Sequence, residues 1–211
     1  MPSVDDDTGS EFPPEAFARQ DEGDDAEFYA PIRLVTHIDD AAIAALSEFY
    51  GATLKAGGDV LDLMSSWVSH LPDDLPLGEV IGHGMNAEEL RQNPRLTDWF
   101  VQDLNRNPVL SLADASLDAA LCCASVQYLQ NPVEVFAEVR RALRPGAPFI
   151  VAFSNRCFWT KAVAIWRALG LEDHARLVHL YFHRAGYSSI TVHMLREGTS
   201  SDPLIAVVGR G

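Results

Sequence analysis

The run LDAALCCA over residues 117–124 is apolar almost without interruption. A strand with apolar side chains on both faces must be buried on both, the condition met by a parallel sheet covered by helices on either side. The residues that follow support that arrangement. Asn131, Pro132 and Glu134 make a helix start, with a capping amide, proline at the first position and an acid at the third. The helix runs to about Leu143, and Arg144-Pro145-Gly146 ends it. Residues 148–153, PFIVAF, then read as a second buried strand. Two such strands joined through a helix form a right-handed parallel crossover.

The same alternation extends in both directions. Asp39 or Asp40 caps a helix over DDAAIAALSEFYGATL, where Ile43, Leu46, Tyr50 and Leu54 share one stripe. After Gly57-Gly58, Val60 to Leu63 read as a short buried strand with Asp62 at its end, and Ser65 and Ser66 are expected to cap a short helix. A strand over 79–82, a helix NAEELRQN capped by Asn86 and a third strand over 99–103 ending in Asp103 follow. Residues 161–169 and 172–185 are helical by periodicity, and 189–195 with 204–209 read as a closing antiparallel pair. The expectation is an α/β fold, a mostly parallel seven-stranded sheet with helices on both faces, forming one domain over residues 28–211.

Charge is unevenly placed. Of the net −14, residues 1–30 carry −9, with ten acidic residues and one arginine. Residues 1–27 therefore read as an acidic, disordered, solvated arm. The body has no basic stripe, which argues against nucleic-acid binding. No run of about 18 apolar residues offers a membrane span, and an acidic N-terminus is unlike a secretory signal, so a cytoplasmic location is expected. Cys122, Cys123 and Cys157 form no metal or disulfide pattern, and Cys122-Cys123 read as packed core. His37, His70 and His83 are too irregularly spaced for a metal site, although one of them is a plausible general base.

VLDL at 60–63 and DASLDAALCCASVQYLQNPVEVFAEVRRALRPGAPFIVAFSN at 114–155 together resemble the class I S-adenosylmethionine-dependent methyltransferases, in particular the type 11 group. LDLMSSWVSHLP, GMNAEEL, VQDLN, SVQYL and FSNRCF resemble an uncharacterised subgroup of these. The resemblance implies a Rossmann-like methyltransferase fold and S-adenosylmethionine as cofactor. It sets Asp62 at the amino-acid end of the cofactor, with Met64, Ser65, Ser66 and Trp67 in the turn, where the family has glycines at positions matching Met64, Ser66 and Val68. Gly84 stands where the family has its ribose-binding acid, with Met85 beside it at the cofactor and Asn86 or His83 left to supply part of the hydrogen bonding. Asp103 matches the acid that accepts from the adenine amino group, with Leu104 against the ring, and Ala124 and Ser125 fall near the methyl-bearing sulfur.

The carboxyl ends of the strands are where such folds contact substrate, which directs attention to Asn155, Arg156, Gln127 and Tyr128. Lys161 reads more simply as a solvated side chain. The function expected from all this is methyl transfer to a small molecule, needing alignment and water exclusion more than a fixed catalytic motif. The alternative, motivated by the missing glycines and ribose acid, is a methyltransferase-like binding or regulatory protein without turnover.

Overall fold

In the computed structural model, which describes residues 12, 13 and 15–211, seven strands form one sheet in the order β3-β2-β1-β4-β5-β7-β6. The strands are β1 (Val60–Asp62), β2 (Val80–Gly84), β3 (Asp98–Val101), β4 (Ala119–Cys123), β5 (Pro148–Phe153), β6 (Ser189–Arg196) and β7 (Leu204–Arg210). The first five pair in parallel, and β7 runs antiparallel between β5 and β6. The helices are α1 (Asp25–Tyr29), α2 (Asp40–Thr53), α3 (Ala87–Gln92), α4 (Pro132–Ala142), α5 (Ala164–Ala168) and α6 (Leu171–Arg184). None is long and apolar enough to cross a membrane.

The double-sided burial of the central strands sorts their residues by parity. Phe149, Val151 and Phe153 of β5 join Phe136 and Val139 of α4 and Val178 and Phe182 of α6 in one core. Ile150 and Ala152 face the opposite way, into a second core with Ala42, Leu46 and Tyr50 of α2. A two-residue period read on both faces is what makes the strands apolar throughout. Asp39 caps α2, its carboxylate accepting from the Ala42 N–H at 2.9 Å.

Four expectations need correction. No helix follows β1. The crossover over residues 63–79 is irregular, because the Ser65 hydroxyl turns back to the Asp62 carboxylate at 2.5 Å rather than forward to a helix start. Met64 and His70 hold left-handed φ values of 54° and 55°, and Pro72 and Pro76 remove donors that a helix would need. Strand β3 ends at Val101, so Asp103 lies in the loop beyond it.

The acidic segment is also not wholly a solvated arm. Residues 1–11 and 14 lie outside the described residues, but the stretch from Glu15 onward packs on the domain. Its backbone bonds residues 160–165, with Asp21 N to Thr160 O at 2.9 Å, Ala164 N to Ala18 O at 2.8 Å and Ile165 N to Ala16 O at 2.8 Å. Lys161, far from solvated, is fully buried. Its ammonium donates to the Gly23 carbonyl at 2.8 Å, meets Asp25 at 3.0 Å and Asp21 at 3.3 Å, and sits over the Phe28 ring. Arg19 completes the cluster, 2.7 Å from the buried Asp25 carboxylate. The acidic residues near position 25 thus neutralise a buried cation.

Lys161→Met, which keeps the stem and removes the charge, is expected to cost roughly 1.5–3 kcal/mol, since it leaves Asp25 with Arg19 alone and removes the bonds to Asp21 and the Gly23 carbonyl. A thermal melt checks this. A shift of a degree or less would mean the cluster contributes nothing to holding residues 15–29.

Candidate functional site

A cleft, open at its mouth, lies at the carboxyl ends of β1, β2, β3 and β4. Its floor is set by the turn after β1. Leu63 N bonds the Leu121 carbonyl at 2.8 Å, which continues the β1–β4 ladder one residue past Asp62. The chain then reverses at left-handed Met64, whose N–H donates to Nδ1 of His83 at 3.1 Å, while Ser65 N reaches the His83 carbonyl at 2.6 Å. An Nδ1 that accepts leaves the proton on Nε2, which donates to the Gln102 carbonyl at 3.0 Å. His83 is therefore neutral, and burial pushes its pKa down to about 4.

Asp62 stands at the base of this turn, 4% exposed. Burial raises its carboxyl to about 6, against the lowering effect of hydrogen bonds from Ser65 and Ser69. No cationic side chain contributes to holding it ionised. Ser66 is tied from outside: its hydroxyl donates to Glu89 of α3 at 3.0 Å, and its carbonyl accepts from Asn93 at 3.0 Å. These side-chain anchors take the place of a glycine turn docked on a helix.

Every residue expected at the cofactor lines the cleft except Trp67, whose indole N–H is turned to the Val35 carbonyl at 2.9 Å. Gly84 lines it in a way that explains its identity. A Cβ there would sit 2.6 Å from the Ser65 carbonyl oxygen, so this backbone admits no acid at that position. Neither suggested substitute is free. Asn86 accepts from the N–H groups of Glu88 and Glu89 and donates to the carbonyls of Tyr29 and Ala30, and both nitrogens of His83 are engaged. Met85 lines the cleft between them. Asp103 accepts from Asn105 N at 2.9 Å and lies 3.5 Å from Arg106, with Leu104 buried beside it. At the β4 end, Ala124 is left-handed (φ 52°), and the Ser125 hydroxyl is within reach of the carbonyls of Cys123 (2.7 Å) and Met64 (3.1 Å).

The four substrate candidates separate. Tyr128 lines the cleft, its hydroxyl oxygen accepting from Phe158 N at 2.8 Å. Gln127 is buried outside the lining, its amide donating to the Ala124 carbonyl. Asn155 and Arg156 also lie outside it, exposed, with Arg156 paired to Asp202 at 2.8 Å.

The sequence reading missed the wall supplied by the N-terminal segment. Tyr29, Arg33, Thr36 and His37 face the cleft together with His70, Glu89 and Phe158. Glu89 accepts the Arg33 N–H at 2.7 Å, and the Arg33 guanidinium lies 4.7 Å from the Phe28 ring centre and 5.6 Å from that of Phe158. The mixture of aromatic and basic residues in FYAPIRLVTH was the available signal. Among the described residues no three metal-ligating side chains converge.

Comparison with known proteins agrees with this architecture. Residues 79–151 match the family described as "Methyltransferase domain". A crystal structure of an S-adenosylmethionine-dependent methyltransferase from Mesorhizobium loti superposes with a TM-score of 0.54 at 16% identity, covering 80% of this chain and 98% of that one. The fold is that of the class I S-adenosylmethionine-dependent methyltransferases. Phosphoethanolamine N-methyltransferase 2 of Haemonchus contortus, in complex with S-adenosyl-L-methionine, superposes at 0.56 with 13% identity, over 80% of this chain and 51% of that one. A curated relative, methyltransferase phqN of Penicillium fellutanum, is 34% identical over 76 residues, 33% of this chain. The match spans 23% of that relative's length.

Installing the family's acid at position 84 is expected to damage this protein. Gly84→Asp should destabilise it by roughly 1–3 kcal/mol through the clash with the Ser65 carbonyl, and Gly84→Ala nearly as much. Chemical denaturation reads the effect; wild-type stability in Gly84→Asp would mean that the turn moves aside at no cost.

Proposed function

We propose that this protein transfers a methyl group from S-adenosylmethionine to a small molecule. The observation that carries the reading is the buried, uncompensated Asp62 carboxylate at one end of a cleft that has Asp103 at the other. An ammonium-bearing ligand would supply the positive charge that Asp62 lacks, and the residues present fit the cofactor in that respect. Asp62 and the Met64–Ser66 turn would hold its amino-acid end, Asp103 and Leu104 its adenine, and Ala124 and Ser125 would lie beside the sulfur. Glu89 is the carboxylate the cleft offers where Gly84 carries none.

When bound, the cofactor supplies an already activated methyl group on a sulfonium. The protein's part is then to hold the acceptor in line and keep water out. The N-terminal wall suits that part, because it narrows the cleft opposite the strand ends. The acidic body, lacking a basic stripe, favours a small acceptor over a nucleic acid.

The test is calorimetric binding of S-adenosylmethionine at pH 5 and pH 7, for wild type and Asp62→Asn. Asp62 alone titrates near 6; a cation beside it lowers that value, so the ligand prefers the ionised form. Affinity should therefore rise about tenfold as pH goes from 5 to 7, and the rise should vanish in Asp62→Asn. No binding at millimolar ligand would sink the reading.

A further inference from the structure

Three histidines lie in or beside the cleft, and their surroundings divide the work among them. Both nitrogens of His83 are engaged with the backbone. His70, on the segment after β1, is bonded to the Thr36 carbonyl and so fastens the N-terminal wall. His37 differs: it lines the cleft, its ring meets Phe158 edge-on at 5.6 Å, and its nitrogens have no hydrogen-bond partner among the described residues. Tyr29 lines the same cleft, and its hydroxyl is also without a hydrogen-bond partner among the described residues. Phe158 and Tyr128, stacked at 5.9 Å, add aromatic surface to this part of the cleft.

We infer that His37 is the catalytic base of the site, and that the acceptor is a small aryl hydroxyl seated between Tyr29, His37 and Phe158. The inference rests on the methyl-transfer reading above and names the substrate class for it. An aromatic wall favours a flat ring by stacking and edge contacts, and a free base matters only for an acceptor that must lose a proton. The step balances. The aryl oxygen forms a bond to the methyl carbon, the carbon–sulfur bond breaks with its electron pair left on sulfur, and the phenolic proton passes to a ring nitrogen of His37.

The groups facing that ring keep it ready. Burial lowers its pKa below the ordinary histidine value; Glu89 from α3 opposes this, while Arg33 from its own segment adds to it. His70, the nearest titratable group on the segment after β1, is likewise held low by burial. The imidazole is therefore neutral, and able to accept, at neutral pH.

The experiment uses 4-fluorophenol, followed by fluorine NMR with the protein saturated by S-adenosylhomocysteine, and 4-fluoroanisole as the analogue without the proton. Wild type should bind the phenol at least fivefold more tightly than the anisole, and the phenol should shift the His37 ring resonances. His37→Asn should abolish the preference, and with S-adenosylmethionine it should slow formation of the anisole by a hundredfold or more. Equal affinity for the two aryl compounds, or a preference that survives in His37→Asn, would overturn the inference. If S-adenosylhomocysteine binds and neither aryl compound does, this inference alone fails. If S-adenosylhomocysteine does not bind, the methyl-transfer reading fails and takes this one with it.

Discussion

The imidazole of His83 accepts the Met64 N–H on one nitrogen and donates to the Gln102 carbonyl with the other, so one ring joins the turn after β1, strand β2 and the loop after β3. Protonation would put a hydrogen on Nδ1 and remove the acceptor, and burial opposes that change. With the ring neutral, the turn is held close enough for Ser65 N to bond the His83 carbonyl. That closeness brings the Ser65 carbonyl over position 84, where only glycine fits. The departures at the turn and at the second strand are thus one departure. A turn drawn down by a histidine has no need of glycines and leaves no room for the acid.

The sheet was legible in the sequence because burial on both faces leaves a strong composition signal. Residues 117–124 and 148–153 could be placed before any coordinates, and so could the cap at Asn86 and, to within the pair Asp39 and Asp40, the cap of α2, since their effects are local. The crossover after β1 was not legible. Ser65 and Ser66 have the composition of a helix start, but the choice between capping forward and bonding back to Asp62 depends on His83, about 20 residues later in the chain. Arg156 was equally ambiguous: position after a strand end suggested a pocket, whereas Asp202, close only in the folded chain, draws it away. Tyr29 and Arg33 were hidden, and His37, one of three candidate bases, could not be placed in the cleft, for a simpler reason. An acidic segment before the domain reads as solvated unless its buried counter-charge is known, and Lys161 looks like any surface lysine.

The site is therefore assembled from two sources with different stabilities. The strand ends and the His83 turn belong to the sheet and share its cores. The opposite wall, with Tyr29, Arg33 and His37, hangs on the Lys161 cluster, on the Asn86 contacts to the Tyr29 and Ala30 carbonyls, and on Glu89. Removing a wall held by a few polar contacts costs far less than unfolding a core.

The link between Gly23 and Lys161 spans 138 positions. During synthesis the N-terminal segment leaves the ribosome first, yet its counter-charge emerges only after β5. Until then Asp25 has only Arg19 of its own segment to pair with, and the backbone bonds to residues 160–165 cannot form. The cleft consequently gains its second wall late, after the central strands have paired, and a nascent chain that stops short of Lys161 carries the floor of a site without its roof.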